Sequence, residues 1–213
     1  MAFSIAIEPP LAAAVRLGAV RCAIGRNDAD DRALDGPLAG AADAARACGT
    51  AGIDAARALY RVFGIDPTKT RPSSEALLRR VRRGEPLPRI NTAVDVCNWC
   101  SLEVQLPYGL YDAGLLEPPL ELRRGAEGDA YAGIGKTVVR LDGRPALFDA
   151  RGPFGNPTSD SARTMTTVRT REVVAVVFAP ATVLRGRMNE VLDMTAARLG
   201  EYAEGREMDR WVS

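Results

Sequence analysis

Apolar residues recur along this chain at two spacings, and the change from one to the other divides it into regions. FSIAI, from Phe3 to Ile7, alternates apolar with small residues, and LGAVRCAIG, from Leu17 to Gly25, is a second apolar run bounded by glycines; both predict short strands. From about Asp30 to Gly64 the chain is rich in Ala, Leu and Arg. There AADAARACGTAGIDAARALYRVFG carries apolar residues at helical spacing around a Gly49 to Gly52 interruption, which predicts helices. In DPTKTRPSSEALLRRVRRGEPLP, Pro67 and Pro72 oppose helix, Ser73 or Ser74 can cap and Gly84 can close. A short helix is expected between them, with Leu77, Leu78 and Val81 facing the core. RINTAVDVCNWCSLEVQLPYG then places Ala93, Val94, Cys97, Cys100 and Val104 near helical spacing, predicting a core-packed helix that ends before Pro107.

Beyond Pro107 the texture is that of strands. LELRRG, YAGIG and VVRL are separated by glycine and acidic turns, and Asp142-Gly143 is a hairpin signal joining VVRL to PALF. The uninterrupted apolar run from Val173 to Phe178 predicts a central strand buried on both faces. The last element expected is a helix from about Thr182 to Gly205, with Val183, Met188, Val191, Leu192, Thr195, Leu199 and Tyr202 as its apolar stripe. Strands and helices are segregated rather than strictly alternating, so the class expected is α+β. At 213 residues one domain spanning 1–213 is the default.

Composition narrows the chemistry. Lys plus Arg number 28 and Asp plus Glu 27, so no global field attracts polyanions, and any nucleic-acid contact must come from a local patch. The chain has no histidine, which excludes Ser-His-Asp and Cys-His machinery within it. Cys22 and Cys48 stand alone, and only Cys97 and Cys100 form a close pair. With no second CxxC and no His, buried structural thiols are favoured over a metal site, and a secreted disulfide framework is not expected. The N-terminus has no basic segment followed by an unbroken apolar core, and no apolar run approaches the ~18 residues that span a bilayer. The expectation is a soluble cytoplasmic protein without cofactor or metal.

Two segments hold candidate chemistry. RGPFGNPTSDSARTMTT, from Arg151 to Thr167, sets glycines, prolines and short hydroxyl and carboxylate residues between two strand signals. Gly152 and Gly155 can bring backbone N–H groups close to a ligand, and Thr158, Ser159, Asp160 and Ser161 can bind hydroxyls, amines or phosphate oxygens. The same side chains can instead satisfy their own backbone as Asx and ST turns, and this reading stands level with the first. The loop is not a Walker motif, and the GIGK from Gly133 to Lys136 is better read as a hairpin turn. Arg79, Arg80, Arg82 and Arg83 make one helix strongly positive, which suits phosphate contacts, although the balance favours a solvated face. Asn91, Asp95 and Asn98 are polar residues in an otherwise apolar helix, so they line a pocket or tie the helix to a loop. For Asp95 a tie to the N–H groups of the Gly-rich loop is expected.

PRINTAVDVCNWCSLEVQLPYGLYD resembles the signature of the B3/B4 editing domain of the phenylalanyl-tRNA synthetase beta subunit. Arg89, Ile90, Asn91, Val94, Asp95, Asn98, Leu102, Glu103, Pro107 and Asp112 sit where that pattern places them. The resemblance runs through LELRRGAEGDAYAGIG, the LDG hairpin, GPFGNPTSDS and the buried strand, roughly Pro67 to Pro180, and GIDPTKTRPSSEALLRRV is similar to the stand-alone versions of the domain. It implies a mixed, largely antiparallel sheet with helices packed on it. It also implies a pocket for the tRNA 3′ end between the Asn-containing helix region and the Gly-rich loop, formed by Asn91 and by Gly152, Gly155, Thr158, Ser159, Asp160 and Ser161. The tRNA backbone would run along Arg79, Arg80, Arg82 and Arg83. In the synthetase this domain removes tyrosine wrongly attached to phenylalanine tRNA. Where the family has its editing histidine this chain has Gly109, and where it has a glutamate on the last strand this chain has about Val176. Two functions follow: a trans-acting hydrolase that deacylates mischarged aminoacyl-tRNA, with catalytic residues unassigned, or a non-catalytic module that binds RNA, an amino acid or a nucleotide.

Overall fold

A computed structural model describes residues 3–47, 51–135 and 138–213. The predicted interruption at Gly49, the isolated Cys48 and the Lys136 of GIGK lie outside the described residues. The chain opens with β1 (Ile5–Ile7), a single helical turn α1 (Pro9–Ala12) and β2 (Val15–Ala23). Helices α2 (Asp35–Ala47), α3 (Ala51–Val62), α4 (Ser73–Arg82) and α5 (Thr92–Val104) follow. Then come β3 (Tyr108–Asp112), β4 (Leu120–Arg124), β5 (Ala130–Tyr131), β6 (Val139–Arg140), β7 (Pro145–Asp149), β8 (Gly152–Asn156) and β9 (Ser159–Asp160). The chain closes with β10 (Glu172–Pro180), α6 (Arg185–Ala203) and β11 (Arg206–Val212).

The class is α+β, as the segregation of elements predicts. A four-stranded antiparallel sheet has the order β11-β2-β10-β3, and a five-stranded sheet the order β1-β4-β7-β8-β9, in which only the β1–β4 pairing is parallel. β10 is the pivot because both of its faces are buried and successive side chains point opposite ways. Val173, Ala175, Val177 and Ala179 pack with residues of α5 and α6, such as Val96, Cys100 and Leu192. Val174, Val176 and Phe178 meet Leu122, Leu147 and Phe154 of the other sheet. An apolar residue on either side is therefore required, and this is why the run from Val173 to Phe178 is unbroken. α6 lies close on β2: a Cβ at Gly18 would approach Met188 Sδ to 2.5 Å, so only glycine permits that approach. Arg198 ties α6 to α5, stacking 3.7 Å over the Trp99 ring and pairing with Glu103 at 2.6 Å.

Three expectations are corrected. The Asp142-Gly143 turn forms, with Arg144 N–H donating to Leu141 O at 2.8 Å, but it does not join a hairpin: β6 pairs with β5, while β7 pairs with β4 and β8. Gly125 exchanges hydrogen bonds with Arg144 and Gly143 across the turn and so splits the two strands into different sheets. Neither Ser73 nor Ser74 caps α4, which starts at Ser73 behind Pro72 with no side-chain cap; Ser74 Oγ donates instead to Gln105 O at 3.2 Å. The chain does not end on a helix. Glu204, in the left-handed region at φ 51°, terminates α6 and turns the chain into β11, an edge strand whose bulge between Glu207 and Asp209 disrupts the alternation a pattern search relies on.

Candidate functional site

The first turn of α5 is fastened from several sides. Asn91, 2% exposed and extended at φ −160°, caps the helix by accepting from Val94 N–H at 3.0 Å. Asn27 accepts from Ala93 N–H at 2.9 Å and donates to Thr167 O at 2.8 Å, so one buried amide joins the helix start to the loop before β10. Asp95 is fully buried, and the tie expected of it is corrected: it accepts from Ile90 N–H at 2.9 Å and Arg89 Nε at 2.7 Å, within its own signature, and not from the Gly-rich loop. Burial raises the Asp95 carboxyl, and the Arg89 guanidinium pulls the other way. With these donors already satisfied, the helix start does not serve as an open anion site.

This arrangement leaves a cavity of about 200 Å³ between the N-terminal half of α5, β3 and the 160–166 segment. Ile90, Val94, Ile134 and Met165 are among its apolar lining, and Asn98, Asp160 and Thr166 bring polar groups to it. Asp160 Oδ1 accepts from Tyr111 Oη–H at 2.7 Å, and Oδ2 lies 3.4 Å from Leu110 N–H. Loss of water around it outweighs these two donors and pushes its carboxyl up to about 7. Thr166 Oγ1 accepts from Asn91 Nδ2 at 3.4 Å, which frees the threonine proton. The Asn98 side chain has no partner among the described residues.

Gly109 and Val176 are directly opposite each other in the β3–β10 register. Tyr111, two residues on, shares their face, and a Cβ at Gly109 or at Gly155 would overlap its hydroxyl. Its ring meets Phe154 edge-on, with centroids 4.8 Å apart. Thus the space beside Gly109 is taken by a tyrosine that holds Asp160.

The seven expected pocket residues are not brought together. Asp160 lines the cavity and Asn91 braces it through Thr166. Thr158 and Ser159 line a different cavity, Gly155 packs under Tyr111, and Gly152, at φ +123°, lies beside the Arg163–Asp149 pair. Ser161 is buried and caps the turn Ala162–Thr164 by accepting from Arg163 N–H at 3.1 Å. On α4, Arg79 pairs with Glu75 at 2.9 Å, while Arg80 and Arg83 share Glu85 at 3.3 and 2.7 Å; Arg82 also has a partner. Cys97 and Cys100 are buried free thiols, raised by desolvation. Among the described residues no three His, Cys, Asp or Glu side chains gather as a metal site would need, and no helix is long and apolar enough to cross a membrane. Tyr111 and Thr166 were not singled out from the sequence. The spacing Gly-x-Tyr on a strand marks a shared face, but the second glycine under the ring is distant in sequence.

The sequence model of the B3/4 domain matches residues 55–198. The chain belongs to the B3/4 domain family. The match to this B3/4 chain covers α4, α5 and every strand from β3 to β10, and so includes the whole cavity. Among solved structures it is similar to an N-terminal fragment of the phenylalanyl-tRNA synthetase beta-subunit from Pyrococcus horikoshii, with 16% identity over 54% of this chain and 40% of that one and a TM-score of 0.46. A search of curated proteins found no match.

Proposed function

We propose that this B3/4 domain, as one cytoplasmic unit, takes the aminoacylated 3′ end of a mischarged tRNA into the α5–β3 cavity and hydrolyses the ester in trans. The observation that carries the reading is Asp160, a carboxyl poised near neutrality at an otherwise mostly apolar cavity that also offers an unpartnered amide at Asn98. At about 200 Å³ the cavity is below the ~300–1,000 Å³ usual for larger ligands, so it suits an aminoacyl side chain and leaves the terminal adenosine at the mouth. Ile90 and Ile134, 55% and 49% exposed, offer that base an apolar rim. The ionised Asp160 takes a proton from a water whose oxygen attacks the ester carbonyl carbon. Asn98 and Thr166 supply donors to the oxyanion. The bond to the ribose oxygen then breaks, that oxygen takes up the proton, and free amino acid and deacylated tRNA leave.

The non-catalytic binding reading is favoured by one observation, that Gly109 faces Val176 and Tyr111 fills the space beside it, where the resemblance would set an editing histidine at 109 and a glutamate at about 176. Release of radiolabelled amino acids from a panel of mischarged tRNAs separates the two. The expected result is turnover that falls at least about 100-fold in Asp160→Ala, the range associated with losing a general base, and falls less in Asn91→Ala. No turnover with tRNA still bound on filters would leave the binding module, and neither turnover nor binding would remove both.

A further inference from the structure

A second cavity, of about 390 Å³, opens on the other side of β9, since Ser159 lines it while the next residue, Asp160, faces the first. Its floor is built. Tyr60 Oη and Thr158 Oγ1 are 2.6 Å apart, and Asn156, only 8% exposed, accepts from Thr158 N–H at 2.8 Å and Ser159 N–H at 3.0 Å through Oδ1. Those two donors fix the orientation of the amide, and among the described residues its Nδ2 has no partner. That NH₂ group, on a residue lining the cavity, is free to donate to a ligand or to water.

Two cations stand at the rim. Arg140 and Arg144 line the cavity from either side of the Asp142–Gly143 turn, and neither guanidinium has a hydrogen-bonded or ion-pair partner among the described residues. Asp142, the acid between them, accepts from Gly128 N–H at 2.9 Å; that donor and then the fields of Arg140 and Arg144 hold its carboxyl below the usual range, and no carboxylate is among the described lining residues. Ile65, Pro145 and Pro157 add apolar lining. Two exposed cations, apolar lining and buried neutral hydrogen-bonding groups supply what the three parts of a nucleotide require, namely phosphate, base plane and polar edge. The volume falls in the usual range for small-ligand sites, about 300–1,000 Å³.

We propose that this cavity binds a nucleoside 5′-monophosphate, with the phosphate on Arg140 and Arg144 and a base or sugar acceptor on Asn156. The site is independent of the chemistry assigned to the Asp160 cavity. Isothermal titration of AMP, GMP, CMP, UMP, adenosine and inorganic phosphate into the full chain tests it. One or more of the monophosphates binds at a single site, more tightly than adenosine or phosphate alone. The Arg140→Ala/Arg144→Ala double variant weakens this at least about tenfold, the scale of one charge-assisted contact. Asn156→Asp keeps the Oδ1 acceptor that holds the turn but sets a negative charge beside the ligand, and it weakens binding similarly while circular dichroism stays unchanged. Asp160→Asn leaves the affinity as it was. The proposal is overturned if no monophosphate binds at millimolar concentration, if adenosine binds as well as AMP, if binding survives both cavity variants, or if it is Asp160→Asn that abolishes it.

Discussion

Asp160 concentrates the physical conflict in this molecule. Its ordinary carboxyl value in an unfolded chain is about 3.9, and in the fold desolvation raises it to about 7 despite the Tyr111 hydroxyl. The folded state therefore binds the proton more tightly. The stability this group contributes is fully present below about pH 3.9 and is lost as pH rises through about 7. Asp160→Asn cannot ionise, so its stability relative to the parent should increase between pH 4 and 7 and level off above. The gap of about three units sets a ceiling near 4 kcal/mol on that rise; any hydrogen-bond cost of the Asn amide beside Leu110 N–H applies equally at every pH and leaves the rise unchanged. Urea unfolding of both chains at pH 5 and pH 8 measures it. An unchanged difference between the two pH values would mean that Asp160 ionises normally and has no role as a base near neutrality.

At the scale of elements, α5 owes its position to side chains that precede it or lie far from it in sequence. Asn91→Ala removes a cap worth about 1 kcal/mol and also the donor to Thr166, so it should destabilise more than Asn91→Asp, which keeps the acceptor for Val94 N–H. Thermal unfolding of the two variants in parallel checks the order, and equal losses would show that the Thr166 contact contributes nothing. The apolar spacing of α5, the uniform burial of β10 and the stripe of α6 were readable because each is a local periodicity that one dominant contact surface imposes. The pairing of β6 was not, because a turn signal at Asp142-Gly143 fixes a chain reversal and says nothing of which strands lie beside it; Gly125, seventeen residues before, decides that. β11 was missed because a bulged edge strand has little apolar face to repeat. For the site, Asp160 and the bracing by Asn91 were legible as polar residues in suspicious places. Its neighbour Ser159 belongs to another surface because β9 alternates, Thr158 joins that surface from the turn before the strand, and Tyr111 was hidden because its role depends on Gly155 in a separate sheet.

For the whole molecule, a net charge of +1 means that any tRNA affinity must come from a patch, and the four arginines of the α4 region are already engaged within the chain. Glu85 is central here because Arg80 and Arg83 both pair with it, and Arg83 holds its carboxyl below the usual range. Such exposed pairs contribute little to stability, so Glu85→Gln should leave the fold unchanged while releasing two guanidiniums. If α4 meets the tRNA backbone, the variant binds tRNA more tightly at low salt, and its log affinity falls more steeply with log salt. Each added phosphate contact steepens the slope by about 0.7–0.9. Filter binding from 50 to 200 mM salt, a range over which such contacts are strongly screened at about 10 Å, gives the slope for both chains. Identical slopes would place the RNA elsewhere and leave the α4 arginines as internal ion pairs with no part in recognition.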